Sequence, residues 1–312
     1  MDSAERIGTL RENISRAIRG KDEAVKLSVV ALLAKGHLLI EDIPGVGKTT
    51  LASSLARSLG CSFRRVQFTS DLLPSDIIGV TIFNPDRRAF EFKAGPLFTH
   101  IVLADEINRA TPKTQSSLLE AMGEFRVSVD SQTHALPNPF FVVATLNPVE
   151  HHGTFPLPDS QLDRFLMRLE MGYPDEAAER EIIVRQRLVN PADALEPVLS
   201  AEEVVELQQR VRDVHVDGSL LDFMLALVRE TRRHPAVELG VSPRGSLSLF
   251  RGAQALALVE GRRFVLPQDI AALAVPVLAH RLVLKPTAAA TRSGVTARLI
   301  MEEILHRVPV PV

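Results

Sequence analysis

The stretch His37-Leu38-Leu39-Ile40-Glu41-Asp42-Ile43-Pro44-Gly45-Val46-Gly47-Lys48-Thr49-Thr50 decides how this chain is read. An apolar run (Leu38, Leu39, Ile40) breaks into a Pro/Gly-rich turn and then into a helix-compatible segment (Leu51, Ala52, Leu55, Ala56), the pattern of a strand, a phosphate loop and a helix. Gly45 and Gly47 let backbone amides curl around phosphate oxygens, and the helix start faces the negative charge. In that arrangement Pro44 to Thr50 cradle a nucleoside triphosphate, Lys48 meets its β- and γ-phosphates, and the Thr49 hydroxyl ligates Mg²⁺. The general pattern G-x-x-x-x-G-K-[ST] asks for glycine where this chain has Asp42. Asp enters unusual turn conformations more readily than most residues, which is how the loop is expected to survive the change.

A second element strengthens the first. Four apolar residues, Ile101 to Ala104, run into Asp105-Glu106 and so set two carboxylates at the end of a buried strand. In an α/β sheet the phosphate loop opens at that same end. Asp105 is then the candidate to hold Mg²⁺, and Glu106 to orient and deprotonate an attacking water. Phe140 to Leu146 is the clearest buried strand and ends at Asn147-Pro148, where an amide could bond both the γ-phosphate and the water, or simply open a turn. Asp163-Arg164-Phe165 precedes a last strand, Met167 to Met171. An arginine at such a rim is either a surface residue or one that reaches a neighbouring subunit's γ-phosphate.

Composition narrows the classes. A chain of 312 residues suggests one large α/β unit and a smaller one. With 36 basic and 38 acidic residues interspersed, the net charge of −2 gives no chain-wide footprint for nucleic acid. Cys61 stands alone, which excludes a disulfide framework and a cysteine metal site. Glu150, His151 and His152 do not make a metal site either, because adjacent histidines point apart on an extended chain. No apolar run is long enough for a membrane span, and Met1 to Asn13 lack a signal core, so a soluble, cytoplasmic protein is expected.

Helical spacing from Ile7 to Ala34, broken at Arg19-Gly20-Lys21, predicts two helices. Their turn could meet an adenine ring or be a plain junction. Phe63 to Phe68 reads as a strand, and Gly79 to Gly95 as a hairpin with Arg87 and Arg88 at its tip. Thr111 to Met122 reads as a helix, and Arg126 to Val129 with His134 to Leu136 as a second hairpin. Beyond Gly172-Tyr173-Pro174 the pattern turns to helices only. Ser200 with Glu203 forms a capping box, one helix covers Leu220 to Val228, and others start at Ser242-Pro243 and Pro267. Arg244 lies in a first turn, where the helix dipole favours acids; it is either a surface arginine or a cation whose anion comes from elsewhere.

Taken in order, Leu39 to Thr49, Ala104-Asp105-Glu106-Ile107-Asn108-Arg109-Ala110, Gly153-Thr154-Phe155-Pro156-Leu157-Pro158 and Gln161 to Phe165 resemble the MoxR family of AAA+ ATPases over nearly the whole chain. Asp42 looks like this family's own version of the loop. The resemblance implies an α/β ASCE-type P-loop core with a parallel five-stranded sheet flanked by helices and two inserted hairpins, residues 1–185, then an all-helical lid, residues 186–312. It implies ATP with Mg²⁺, a sensor 1 role for Asn147, an arginine finger role for Arg164 and a sensor 2 role for Arg244. It also implies a homo-hexamer whose hairpins lie near a central pore. Family members are chaperone-like remodellers that mature protein complexes or help insert metal cofactors, often beside a partner with a von Willebrand factor A domain, acting on a protein client. Two other classes fit parts of the pattern: a DNA-dependent AAA+ motor, against which the balanced charge argues, and a slow nucleotide-switched module awaiting a partner.

Overall fold

The apolar runs Leu38–Glu41 (β1), Phe63–Gln67 (β2), Ile101–Asp105 (β5), Phe141–Leu146 (β8) and Met167–Leu169 (β9) pair in parallel into one sheet of order β2-β5-β8-β1-β9. The computed structural model describes residues 2–130, 132–148, 153–177, 179–180, 191–286 and 296–311. Alternate strand side chains leave on opposite faces, so each strand feeds two cores. Leu38, Ile40, Ile101, Leu103, Phe141 and Val143 pack with the helices Ser3–Ala17 (α1), Asp22–Leu33 (α2) and Lys48–Ser58 (α3). Leu39, Val102, Ala104, Val142 and Ala144 pack with Leu118, Leu119 and Met122 of the helix Pro112–Glu124 (α5). Burial on both faces is why these strands read as continuous apolar runs.

Two antiparallel hairpins stand apart from the sheet. Gly79–Asn84 (β3) pairs with Ala89–Ala94 (β4) just after the short helix Pro74–Ile78 (α4), and Arg126–Val129 (β6) pairs with Gln132–Ala135 (β7). The returning strand β7 begins two residues earlier than the sequence suggests, because the register sets Gln132 opposite Val129. The hairpins touch through one stack: Phe92 lies 4.0 Å from the His134 ring and 5.4 Å from Phe98. Phe83 and Phe90, by contrast, are exposed at the outer end of the first hairpin.

After the short helix Asp159–Leu162 (α6) and β9, the chain enters a helical lid: Ala201–Arg212 (α7), Gly218–Arg233 (α8), Pro243–Val259 (α9), Pro267–Leu278 (α10) and Ala297–Arg307 (α11). The Ser200–Glu203 capping box starts α7, and the Ser242 hydroxyl caps α9 through the Gly245 amide. A short ribbon, Val237–Leu239 (β10) with Val283–Leu284 (β11), interrupts the helical pattern. Leu207, Phe223, Leu249, Leu273 and Ile300 join the same buried cluster as α1 to α3, so one core face continues into the lid. Among the described residues no helix is long and apolar enough to cross a membrane.

Candidate functional site

The C-terminal ends of β1, β8 and β5 lie side by side, with β8 in the middle. That order brings the loop after β1, Asn147 after β8 and Asp105-Glu106 at the end of β5 to one rim. A cleft of about 330 Å³ opens there, lined by Pro44, Gly45, Gly47, Lys48, Thr49, Thr50, Arg65, Asp105, Glu106 and Asn147.

Gly45 and Gly47 have φ of +88° and +98°, the left-handed region that strains any other residue, and Gly47 caps the N-terminus of α3. Lys48 opens the helix and its Nζ donates to the Asp42 carbonyl at 2.5 Å. Burial lowers the pKa of Lys48, and the charges of Asp42, Asp105 and Glu106 oppose that shift. Val46 is the exception in the loop, since its side chain is buried in the core beneath the cleft and only its backbone is available to a ligand.

Asp42 does not adopt a left-handed conformation. Its carboxylate instead accepts from Ile43 N at 2.8 Å, Met171 N at 2.7 Å and Gly172 N at 2.6 Å. The reason for Asp in place of glycine is therefore hydrogen bonding and not turn tolerance. It also explains why β9 ends at Leu169 and not at Met171, because the next amides turn to Asp42 and leave the ladder. Lys21, in the turn between α1 and α2, donates to the carbonyls of Met171 and Tyr173 at 2.8 and 2.6 Å. The α1–α2 turn is thus tied to the same connection as the phosphate loop.

Asp105 is only 9% exposed, and both its oxygens are engaged. Oδ1 accepts from the buried Thr145 hydroxyl at 2.6 Å, while Oδ2 accepts from Arg65 Nη2 at 2.6 Å and Nε at 3.0 Å. Glu106 N donates to the same Thr145 hydroxyl at 2.8 Å, with Glu106 itself at φ +55°. Oε2 of Glu106 accepts from Gln67 Nε2 at 2.7 Å and Arg109 Nη1 at 3.1 Å. Arg65 and Gln67 stand two apart on β2, share one face, and bond each other at 3.1 Å. The sequence reading missed Arg65, Gln67 and Thr145. The alternation in β2 was the available signal, but nothing in it says which strand will pair with β5.

The donor set suits a Mg²⁺ nucleotide. Among the described residues no group of three or more His, Cys, Asp or Glu side chains could hold a metal by itself. Mg²⁺ keeps several waters and takes one or two protein oxygens beside substrate phosphates, and Thr49 with Asp105 offers that. Glu150, His151 and His152 lie outside the described residues.

Two candidates lie away from the cleft. Arg164 donates from Nη1 to the Leu119 carbonyl of α5 at 2.7 Å. Gly123 leaves it room, since a Cβ there would stand 3.1 Å from that nitrogen. Arg244 is exposed in the first turn of α9. The cleft of a single chain therefore gathers Lys48, Thr49, Asp105, Glu106 and Asn147 and leaves both arginines outside.

Residues 37–167 match the family model described as ATPase family associated with various cellular activities (AAA), and residues 229–304 match the AAA lid domain. The chain is 50% identical to Uncharacterized protein YeaC of Bacillus subtilis, covering 98% of this chain and 95% of that protein. It is 41% identical to Chaperone MoxR1 of Mycobacterium tuberculosis, covering 96% and 80%. A crystal structure from Cytophaga hutchinsonii superposes with a TM-score of 0.92 at 35% identity, covering 99% of this chain and 96% of that one.

Proposed function

The chain belongs to the MoxR family of AAA+ ATPases, and from that premise we propose that it hydrolyses Mg²⁺-ATP at the cleft between Lys48 and the Asp105–Glu106 pair and spends the cycle on chaperone-like remodelling of a protein client. The observation that carries this reading is the convergence of Lys48, Thr49, Asp105, Glu106 and Asn147 on one rim. Loop amides and Lys48 bind the phosphates. Thr49 and Asp105 would hold the Mg²⁺, which would supply charge neutralisation to the transferred group. Glu106 takes a proton from the attacking water, and Asn147 orients that water against the γ-phosphate.

Arg164 of a neighbouring subunit completes the site in a homo-hexamer, and Arg244 reports the γ-phosphate to the lid. In this reading residues 1–185 form the hydrolytic core and 186–312 the lid, with the two hairpins turned toward a pore and a von Willebrand factor A domain protein as partner. The client's role is maturation of a protein complex or insertion of a metal cofactor. Arginine fingers contribute roughly 10³ to 10⁵ in rate, so an isolated subunit hydrolyses slowly. Calorimetry on Lys48→Ala tests the site: loss of ATP binding is expected, and parental affinity would overturn the assignment.

A further inference from the structure

The carboxylate of Asp163 is the meeting point of two parts of the chain. It accepts from the Ser242 hydroxyl at 3.0 and 3.1 Å and from Arg281 Nε at 2.9 Å. Ser242 caps α9, the helix that carries Arg244 two residues on. Arg281, just past α10, is 6% exposed, and its guanidinium is shared between the segment Asp163 to Leu166 and lid groups at Ser248, Val277 and His280. Nη2 donates to the carbonyls of Phe165 at 2.6 Å and Asp163 at 3.3 Å, and to the Ser248 hydroxyl at 3.1 Å. Nη1 donates to Leu166 O at 3.2 Å and also to Val277 O at the end of α10. These bonds bracket Arg164 on both sides.

The packing keeps that guanidinium in place. Gly245, in the first turn of α9, is where the Arg281 stem passes, since a Cβ there would stand 2.9 Å from Arg281 Cδ. Burial pushes Arg281 down to about 10; Asp163 opposes the shift and the like charge of Arg244 adds to it, so the side chain stays cationic at neutral pH and feels Arg244. A buried, fully used arginine fork fixes geometry far better than a surface pair would.

From this geometry we infer that Asp163 and Arg281 are positioning residues, which fasten the segment bearing Arg164 to the lid helix bearing Arg244, so that the lid of a subunit sets how its own Arg164 meets the neighbouring site. The inference rests on the proposed reading of Arg164 as the group that completes a neighbour's cleft. A lid that shifts with the nucleotide in its own cleft then carries Arg164 with it, and adjacent sites are coupled mechanically.

The test is hydrolysis by full-length Asp163→Asn and Arg281→Lys, each alone and diluted into excess Glu106→Gln, with Arg164→Ala run in parallel and ATP affinity measured for all. Glu106→Gln subunits are expected to lack hydrolysis but to offer an intact Arg164. Both variants should bind ATP like the parent, lose about 100-fold in rate, as a misplacement of roughly 1 Å can cause, and recover activity per subunit as Glu106→Gln is added. Arg164→Ala should behave in the same way. Parental rates in both variants would overturn the inference. So would slow variants that Glu106→Gln does not rescue while it rescues Arg164→Ala, because the damage would then lie in their own clefts. An Arg164→Ala chain that keeps the parental rate would instead remove the arginine finger reading, and the inference with it.

Discussion

Arg65 Nη2 lies 2.6 Å from Oδ2 of Asp105, the oxygen left over once the buried Thr145 hydroxyl has taken Oδ1. The carboxylate proposed to hold Mg²⁺ therefore already carries a cation supplied by the edge strand. Mg²⁺ bound there would compete with Arg65 for one negative charge. The pair is half open to water, the side chains being 51% and 13% exposed, so its strength is that of a surface-type bridge, about 1 kcal/mol. Arg65→Gln should lower the Mg²⁺ concentration needed for nucleotide binding about fivefold, followed with a fluorescent ATP analogue. An unchanged or raised midpoint would mean that Arg65 helps to bind the phosphates and does not oppose the metal.

Asp42 offers a sharper contrast with pattern matching. Asp42→Gly restores the general phosphate-loop sequence, yet it removes the acceptor for Met171 N and Gly172 N. Hydrogen bonds to a charged group contribute about 1.5–3 kcal/mol each, and the stranded amides are only partly rehydrated. The change should therefore destabilise the chain by about 3–6 kcal/mol in urea unfolding and weaken ATP binding. A glycine variant as stable as the parent and binding ATP equally well would refute the tether.

What the sequence disclosed and what it withheld divide along a physical line. The loop from Pro44 to Thr50, the Asp105-Glu106 pair and both hairpins are local patterns, set by turn chemistry and period-2 alternation, and they lie within a residue or two of where they were expected. The edges of these elements moved where tertiary bonds intervene, as at Met171, whose amide goes to Asp42. Arg65, Gln67 and Thr145 were invisible because their partners sit on other strands, and pairing order is not a local property. The same holds for Arg281, whose bonds reach from the lid to the segment around Arg164, far away in sequence.

His37 gives the fold a pH dependence. It is fully buried against Phe125, Phe140 and Phe141; Nδ1 accepts from Val142 N at 3.1 Å, so Nε2 carries the proton and donates to Met122 O at 3.0 Å. Burial lowers its pKa from 6.5 to about 4. The unfolded chain therefore binds this proton first, and stability is fully present above pH 6.5 and falls as pH drops toward 4, by about 3 kcal/mol from this residue. His280, buried and lowered in the same direction, adds to the slope. Chemical unfolding of the parent and of His37→Gln across this window should give curves that converge as pH falls. A constant gap would show that His37 does not titrate on unfolding.

The central claim is a shared ATP site completed across subunits, and ATP hydrolysis per subunit against protein concentration, for the parent and for Glu106→Gln, tests it most directly. A specific activity that climbs with concentration in the parent and vanishes in the variant is the predicted result. A flat, near-zero rate in both, despite tight ATP binding, would contradict it and leave a nucleotide-switched module that waits for a partner.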